Sequence, residues 1–296
     1  MTQNGAQELE SKVLFALEHP AVRADRGTLA RLLGAPDTMR QVLDSWHGGE
    51  RVLLAVLRKG GGGPADASQL LMLGCRAPLD VGAFSGFLDE AEGRVEPGGR
   101  EGHRALALVL PAPLGCMRDL LKERGYSHAY TYLTLFAEVP LTLESGDTEW
   151  RDVDASNVDA AYACHRDAFL ATGEPVASPE EARAVLLGAD PRPRVLFVQG
   201  EATAVVRVVW LDEAARAVEL RFLCRNPRFR GQRVGDRALS ETFRVSRHMG
   251  ASSVQLAVAS TNRPALNLYD RWGFRHVEQE EVFRIALPAP PLRQNM

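Results

Sequence analysis

Two segments of the chain alternate apolar residues with others in the way that a β-strand with one buried face requires. The apolar positions are Leu106, Leu108 and Leu110 in the first segment and Val254, Leu256 and Val258 in the second. The two sets lie 148 residues apart, which is half of the 296-residue chain. Each segment therefore predicts a strand, and the spacing points to an internal repeat.

The same offset continues without a gap over 32 positions, so that residues 104–135 fall on residues 252–283. Leu120 falls on Leu268, and Gly125 falls on Gly273. Both copies predict a strand, a helix, a glycine at the left-handed position that ends a helix, and a second strand. Two unrelated strand–helix–strand units would share that order, but the gapless register favours a duplication.

The remaining pattern predicts two similar halves of mixed helix and strand. In the first half we predict helices over residues 7–17, 26–45, 81–92 and 114–124, and strands over 51–58, 69–75 and 106–110. In the second half we predict helices over residues 156–170, 179–187, 235–249 and 263–272, and strands over 194–199, 203–211, 217–224, 254–259 and 283–287.

Charge and apolar run length narrow the class of protein. The net charge of −3 provides no dominant basic surface, so no nucleic-acid partner is expected. The longest apolar runs, such as residues 105–110 and 205–210 (broken by Arg207), are shorter than the roughly 20 residues that cross a bilayer. Without a secretion signal the sequence predicts a cytoplasmic protein with no membrane partner, as a monomer or a homodimer.

The cysteines give no sign of a disulfide framework or a metal site. They are Cys75, Cys116, Cys164 and Cys224, and no two of them form a C-x-x-C pair. A chain of this length builds a core without cross-links, so we expect free thiols. No metal is expected, because no cysteine and histidine cluster has ligand spacing.

The stretch with the clearest chemistry runs from Glu219 to Gly235 and reads ELRFLCRNPRFRGQRVG. A predicted strand ends near Cys224, a turn follows at Asn226, and a helix begins near Gly235. The N–H groups of a helix's first turn have no intrahelical partner and favour an anion, so this order is typical of a phosphate site. From the residues alone, a plain strand–helix turn with solvated arginines is an equal alternative.

A second motif follows after one more predicted strand and reads Asn262-x-x-Ala265-x-x-Leu268-Tyr269-x-x-x-Gly273-Phe274. Together with Pro227-x-Phe229-Arg230-Gly231-Gln232-x-Val234-Gly235, it resembles the GNAT superfamily of N-acyltransferases. The first stretch is similar to the family's pyrophosphate loop, Arg/Gln-x-x-Gly-x-Gly/Ala. The second is similar to its Asn…Ala…Leu-Tyr…Gly-Phe helix. The resemblance is strong from about Val195 to Phe274 and only architectural elsewhere.

The resemblance implies the α/β (α+β) fold class, with two tandem GNAT folds, each a mixed, mostly antiparallel twisted sheet flanked by helices. We assign residues 1–140 to a degenerate GNAT-like domain, 141–147 to a linker, 148–288 to a catalytic GNAT acetyltransferase domain and 289–296 to a frayed tail. Tandem GNAT enzymes with one active and one inactive half include the mycothiol synthase type, which this organisation resembles.

By resemblance, acetyl-CoA is the acyl donor. The loop residues whose backbone amides would bind its pyrophosphate are Arg230, Gly231, Gln232, Arg233, Val234 and Gly235. The strands at 217–224 and 254–259 would splay apart to admit the pantetheine arm, which Asn262 would anchor. The oxyanion of the reaction would be held by a backbone N–H from Leu223, Cys224 or Arg225.

Two side chains are implied as catalytic. Tyr269 would sit by the thioester sulfur and donate a proton to the departing thiolate; from spacing alone it would be a core aromatic. The position of Glu219 resembles that of the general-base glutamate of histone-type GNAT enzymes, which implies that Glu219 would take a proton from the amine, directly or through water. The alternative for Glu219 is an ion pair with Arg221, two residues further along the same strand.

Arg233 departs from the family pattern, because it stands where the loop has its central glycine. A side chain there would crowd the pyrophosphate, or its guanidinium would hydrogen-bond a phosphate. Glycine would be dispensable if the position already belonged to a right-handed helical turn.

The first half lacks the chemistry of the second. Under the 148-residue offset, Asn262, Tyr269, Glu219, Arg230 and Gly235 correspond to Leu114, Leu121, Leu71, Gly82 and Phe87. We therefore predict that the first copy binds no acyl-CoA.

The expected function is transfer of an acetyl group from acetyl-CoA to a primary amine of a small molecule. The alternatives are acetylation of a protein or peptide amine, and a non-catalytic acyl-CoA-binding or sensor module. By resemblance, the acceptor cleft would be lined by the first two helices of the second half and by a hairpin at residues 277–282. Carboxylates there, including Asp167, Glu180 and Glu281, would suit a cationic amine or would be ordinary solvated surface.

Overall fold

The structure is a computed structural model that describes residues 40–47, 50–58, 68–75, 81–95, 104–111, 115, 117–140, 149–171, 179–188 and 191–287, with Gln7, Ser11 and Lys12. The strands are β1 (Arg40–His47), β2 (Glu50–Arg58), β3 (Ser68–Cys75), β4 (Arg104–Pro111), β5 (Ser127–Glu138), β6 (Trp150–Asp152), β7 (Arg194–Val198), β8 (Glu201–Asp212), β9 (Ala217–Arg225), β10 (Ser253–Ala259) and β11 (Arg275–Leu287). The helices are α1 (Val81–Arg94), α2 (Met117–Glu123), α3 (Val158–Leu170), α4 (Pro179–Leu187), α5 (Val234–His248) and α6 (Arg263–Arg271), and a 3-10 turn at Pro227–Phe229 precedes α5.

The predicted elements of the second half are confirmed, with ends that mostly shift by one or two residues. The pattern does not predict β6, which has only three residues. The hairpin expected at residues 277–282 is wrong, because this segment is the interior of the single strand β11. Charged residues interrupt the apolar alternation along β11, so the sequence pattern did not predict the full length of this strand.

In the first half, the helix predicted over residues 26–45 is wrong at its end. Residues from Arg40 onward form β1, which pairs antiparallel with β2, and Leu43 stands opposite Ala55. Backbone pairing with a neighbouring strand outweighs local helix propensity here. Residues 26–39 lie outside the described part of the chain. So does the predicted helix at 7–17, apart from Gln7, Ser11 and Lys12, which are helical.

The chain divides into two compact units: residues 132–278, and residues 1–131 with 279–296. In the first of these, which we call the central unit, the strand order is β5–β10–β9–β8–β7–β6. All neighbours are antiparallel except β9 and β10. One face packs on α5 and α6, where Phe243 and Tyr269 belong to the core, and the other face packs on α3 and α4 around Cys164.

Helix α5 is held to this sheet by an apolar stripe and by one buried charge. Its buried side chains recur at helical spacing and are Val234, Ala238, Leu239, Glu241, Thr242, Phe243 and Ser246. The Glu241 carboxylate accepts hydrogen bonds from Arg194 on β7 at 2.8 Å and from Arg244 at 2.6 Å. Because a buried carboxylate is tolerated only when it is paired, these contacts fix the position of α5 over the sheet.

The other unit, which we call the flanking unit, has the strand order β1–β2–β3–β4–β11. Strands β3 and β4 are parallel and the other neighbours are antiparallel. Helices α1 and α2 cover one face through Phe84, Phe87 and Leu121, which are almost fully buried.

The two halves of the sequence exchange strands. β4 pairs with the end of β11, and β10 pairs with the end of β5. Leu106 stands opposite Ile285, and Val254 stands opposite Ala137, so both pairings keep the same register under the 148-residue offset. This reciprocity supports a duplication. It also means that the compact units differ from the contiguous ranges 1–140 and 148–288, because each takes one strand end from the other half of the sequence.

Candidate functional site

A gap opens in the sheet of the central unit between β9 and β10. The two strands pair only where residues 253–255 stand opposite residues 217–219. Beyond these three pairs the strands no longer pair with each other, although every residue of both strands is described. The predicted splaying is therefore confirmed. Strand edges that face a gap present N–H and C=O groups to which an extended amide-containing ligand can bond as an added strand.

The loop that leaves β9 turns sharply toward α5. The Asn226 side chain accepts a hydrogen bond from the N–H of Arg228 at 3.1 Å and so starts the 3-10 turn. Gly231 then has a φ of +80°, a conformation that L side chains rarely adopt. Arg233 follows with φ 56° and ψ 17°, which is also left-handed. The alternative that position 233 lies in a right-handed turn is therefore wrong.

Helix α5 begins at Val234 without a capping side chain. Its N-cap residue is Arg233, which makes no side-chain hydrogen bond to the first turn. Most helices cap these N–H groups with Ser, Thr, Asp or Asn, because the groups have no partner within the helix. An uncapped first turn carries the positive end of the helix dipole and is suited to an anion.

Arginine side chains concentrate positive charge at this turn. Burial lowers the pKa of the Arg225 guanidinium, and the nearby charge of Arg230 lowers it further. Like charges held close together destabilise one another, so a bound anion would relieve this repulsion. Arg228 has a carboxylate partner in Glu201, and the Arg228 Nη1 and Glu201 Oε2 atoms are 3.7 Å apart. The side chains of Arg230 and Arg233 are exposed.

Helix α6 places the second motif beside the same gap. Asn262 is its N-cap, and the Asn262 Oδ1 atom accepts a hydrogen bond from the N–H of Ala265 at 3.3 Å. Asn262 follows the end of β10 closely, where that strand has separated from β9. Tyr269 lies two turns later on α6, is 7% exposed, and packs against Phe274 with ring centroids 5.5 Å apart.

Two contacts join the first turn of α5 to α6. An added Cβ on Gly235 would stand 2.9 Å from the Cδ2 atom of Leu268, so glycine permits this close approach. Asp236 accepts hydrogen bonds from the Trp272 Nε1 atom at 3.0 Å and from Arg271 at 3.3 Å. The start of α5 and the helix that carries Tyr269 are therefore held in one arrangement.

Glu219 lies at the point where the gap begins. It is the last residue of β9 that pairs with β10, opposite Gln255. Val218 and Leu220 face the core that contains Tyr269, so alternation directs Glu219 to the opposite face of the sheet. Glu219 forms an ion pair with the Nε atom of Arg221 at 2.8 Å. The ion pair foreseen as an alternative is thus present, at the site where a base would stand.

A β-bulge shifts the strand just after Glu219. Arg207 and Val208 on β8 stand opposite Phe222 and Leu220, so Arg221 is the extra residue on β9. The bulge exchanges the faces of the residues that follow. Cys224 is 1% exposed in the core under α3, so only its backbone is available to a ligand in the gap. Leu223 packs partly against the core on the α5 side.

Comparison with known proteins agrees with this geometry. Residues 158–274 match the family described as "Acetyltransferase (GNAT) family", a range that contains the gap, the loop and both motifs. Residues 158–274 form a GNAT acetyltransferase domain. The chain is accordingly an acyltransferase.

Solved structures share the fold over most of the chain. A GCN5-related N-acetyltransferase from Sphaerobacter thermophilus is 15% identical, with a TM-score of 0.67 over 91% of this chain and 88% of that one. A tandem GNAT protein from the clavulanic acid biosynthesis pathway is 13% identical, with a TM-score of 0.64 over 97% of this chain and 95% of that one. At this identity the likeness concerns the fold alone. No protein of curated function matches the sequence.

Two of the carboxylates that the sequence places at the expected acceptor cleft have ion-pair partners in the structure. Glu281 is buried in the flanking unit, where it accepts a hydrogen bond from Arg118 on α2. Asp167 is paired with the neighbouring Arg166 at 2.7 Å. Both of these carboxylates are therefore engaged in ion pairs.

Sequence reasoning missed two residues on the α3 face of the sheet. Arg207 interrupts the apolar run at 205–210, and its Nε atom is buried with no hydrogen-bond partner among the described residues. His165 on α3 stacks on Phe169 at 4.4 Å and meets Phe222 edge-on at 5.1 Å. The interruption by a charged residue was the one signal in the sequence that could have revealed Arg207.

The counterparts of the site in the first half are core residues where the structure describes their side chains. Leu121, which corresponds to Tyr269, is fully buried, and Phe87, which corresponds to Gly235, is 2% exposed. Across the parts of the chain that the structure covers, no group of His, Cys, Asp or Glu is arranged to hold a metal ion. No described helix has the length and apolar character needed to cross a membrane.

Proposed function

We propose that this protein transfers an acetyl group from acetyl-CoA to a primary amine of a small molecule. The observation that carries the proposal is the junction of the β9–β10 gap with the uncapped first turn of α5. A gap lined by backbone amides suits the pantetheine arm, and a helix N-terminus surrounded by arginines suits the pyrophosphate. The gap and the helix N-terminus are adjacent, as the pantetheine arm and the pyrophosphate are adjacent in acetyl-CoA.

The loop backbone fits this role despite the arginine at position 233. Arg233 takes a left-handed conformation, which glycine would adopt without strain, so the chain follows the path of a glycine loop. Its exposed side chain adds positive charge beside the phosphates. We assign pyrophosphate binding to the backbone of Arg230 through Gly235. The Asn262 carboxamide, at the end of β10, is assigned to the pantetheine arm.

The reaction joins the amine nitrogen to the thioester carbonyl carbon and breaks the carbon–sulfur bond. Glu219 accepts the proton lost by the amine, directly or through water, and Tyr269 donates a proton to the departing thiolate. The two groups face opposite sides of the sheet at the gap, which separates the proton-accepting side from the proton-donating side. A backbone N–H from Leu223, Cys224 or Arg225 holds the oxyanion.

The test uses the full-length chain, since each half supplies a strand to the other. Acetyl-CoA at about 100 times its Kd should stabilise the protein by about 2.7 kcal/mol, seen as a rise in Tm. Release of CoA thiol should then depend on an added amine. No rise in Tm and no amine-dependent thiol release in the folded protein would refute the proposal.

Replacement of Tyr269 by phenylalanine tests the acid. We expect kcat to fall by about a hundredfold or more, with the Kd for acetyl-CoA unchanged, because the hydroxyl acts only as charge develops on sulfur. Tyr126→Phe is the matched control, since Tyr126 donates to Glu92 at 2.8 Å in the flanking unit. That control should alter stability and leave kcat unchanged. An unchanged kcat in Tyr269→Phe would remove Tyr269 as the acid.

A further inference from the structure

The α3 face of the GNAT sheet holds a charged side chain that the proposed chemistry does not use. Arg207 lies on β8 directly opposite Phe222, on the face that carries Glu219. Its Nε atom is buried and has no hydrogen-bond partner among the described residues. A guanidinium donor that is hidden from water without an acceptor costs free energy, and a ligand that supplied an acceptor would remove this cost.

The nearest carboxylate is already engaged. Glu219 pairs with Arg221 at 2.8 Å, and Arg207 is the second guanidinium in its neighbourhood. Burial lowers the pKa of Arg207, the charge of Arg221 lowers it further, and Glu219 offsets part of this effect. Two positive charges therefore surround one negative charge, and the cluster has a net positive charge where the strands begin to separate.

Aromatic rings border this cluster. His165 stacks on Phe169 and contacts Phe222, the cross-strand neighbour of Arg207. Burial lowers the pKa of the His165 ring, so it is neutral at pH 7 and adds no charge. Its Nδ1 atom is also buried without a partner among the described residues. The face thus presents apolar ring surface with unsatisfied polar atoms, which is the usual composition of a small-molecule site.

We infer that the acceptor is a primary amine that carries a carboxylate, and that the Arg207 guanidinium binds this carboxylate while the amine lies near Glu219. A planar guanidinium matches a carboxylate through paired hydrogen bonds. Val209 stands opposite Glu219, two residues along β8 from Arg207, which corresponds to about 7 Å along the strand. A short amino acid spans such a separation. The inference rests on the proposed acyl transfer.

The experiment compares two acceptor series with the full-length protein and acetyl-CoA. One series contains amino acids with different spacing between amine and carboxylate, and the other contains their primary carboxamides. The variants are Arg207→Met and Arg207→Lys, with Arg247→Met as a control that removes an exposed arginine at the end of α5. The readouts are kcat/KM for each acceptor and Tm for each variant.

We expect the wild type to prefer the acids by about tenfold or more, as a charge-assisted hydrogen bond provides. Arg207→Met should abolish this preference, leave the carboxamides nearly unchanged and keep or raise Tm, because it removes an unsatisfied buried donor. Arg207→Lys should retain part of the preference, and Arg247→Met should behave as the wild type. Equal use of acids and carboxamides, or a loss of both in Arg207→Met together with a lower Tm, would overturn the inference.

A separate measurement distinguishes failure of the inference from failure of the acyl transfer. The amino acids are titrated by calorimetry into the wild type and Arg207→Met, each saturated with CoA. Binding to the wild type that weakens about tenfold in Arg207→Met supports a carboxylate site even if no acceptor is acetylated, in which case only the acyl transfer fails. No binding to the wild type by any member overturns the carboxylate site itself.

Discussion

The Cδ2 atom of Leu268 lies 2.9 Å from the position that a Cβ on Gly235 would occupy. This contact joins the first turn of α5, which follows the loop at residues 226–233, to the helix that carries Tyr269. Any side chain at position 235 must therefore displace either Leu268 or the start of α5. Glycine at position 235 therefore allows Leu268 to pack closely against the start of α5, in addition to any contact that the glycine makes with a ligand.

Gly235→Ala should weaken acetyl-CoA binding and lower Tm. Overpacking of a close helix contact costs about 1–3 kcal/mol, which exceeds the gain of up to about 1 kcal/mol from alanine's helix preference. Affinity and Tm should recover partly when Leu268→Ala is added, as a double-mutant cycle will show. Gly86→Ala is the control, because Gly86 in α1 has open space around it and should gain about 0.5–1 kcal/mol. Equal effects at both glycines would exclude the packing explanation.

Replacing Arg233 by glycine and by alanine should separate the effect of backbone strain on stability from the effect of the lost charge on acetyl-CoA binding. Both variants lose the guanidinium, but only glycine takes φ 56° without strain. We expect Arg233→Gly to be more stable than Arg233→Ala by about 1 kcal/mol, measured by denaturant unfolding.

Both Arg233 variants should bind acetyl-CoA more weakly than the wild type at low salt, and the difference should diminish at high salt, because the lost interaction is an exposed charge. The measurement is the Kd for acetyl-CoA over a range of salt concentrations. Tighter binding by Arg233→Gly would instead show that the arginine side chain crowds the pyrophosphate.

His165 should make stability depend on pH. Burial lowers the pKa of His165 in the folded state, so below about pH 6.5 the unfolded chain binds a proton that the folded protein does not bind. Stability from this group is complete above pH 6.5 and decreases as the pH falls toward the folded-state pKa. His165→Phe keeps an aromatic ring against Phe169 and should reduce the slope of Tm between pH 5 and 6.5. Parallel curves for the two proteins would contradict this assignment.

Local patterns in the sequence were sufficient for much of the fold. Alternation predicts β4 and β10, and the glycines at 125 and 273 both have positive φ where each helix ends. The pattern failed for β1, because a strand with weak alternation is fixed by its pairing with β2. The exchange of β5 and β11 also escaped prediction, since register between distant strands is absent from any local window.

The site was predictable to the extent that backbone geometry follows motif order. The gap beside Glu219 and the helix start at Val234 lie where the motifs place them. The surroundings of individual side chains could not be predicted from the order of the motifs. The left-handed conformation of Arg233 depends on the path of the whole loop, and the isolation of the Arg207 Nε atom depends on which groups three strands and one helix bring near it.

The reciprocal pairing of β4 with β11 and of β10 with β5 has an evolutionary consequence. A polypeptide of half this length could provide pairing partners for both strands only by associating with a second copy, as in a symmetric strand-swapped dimer. Joining the two copies in one chain makes this strand pairing intramolecular, so that it no longer depends on the protein concentration. It also frees the two copies from having to be identical. In this chain the first copy has Leu121 and Phe87 at the positions that correspond to Tyr269 and Gly235 of the second copy.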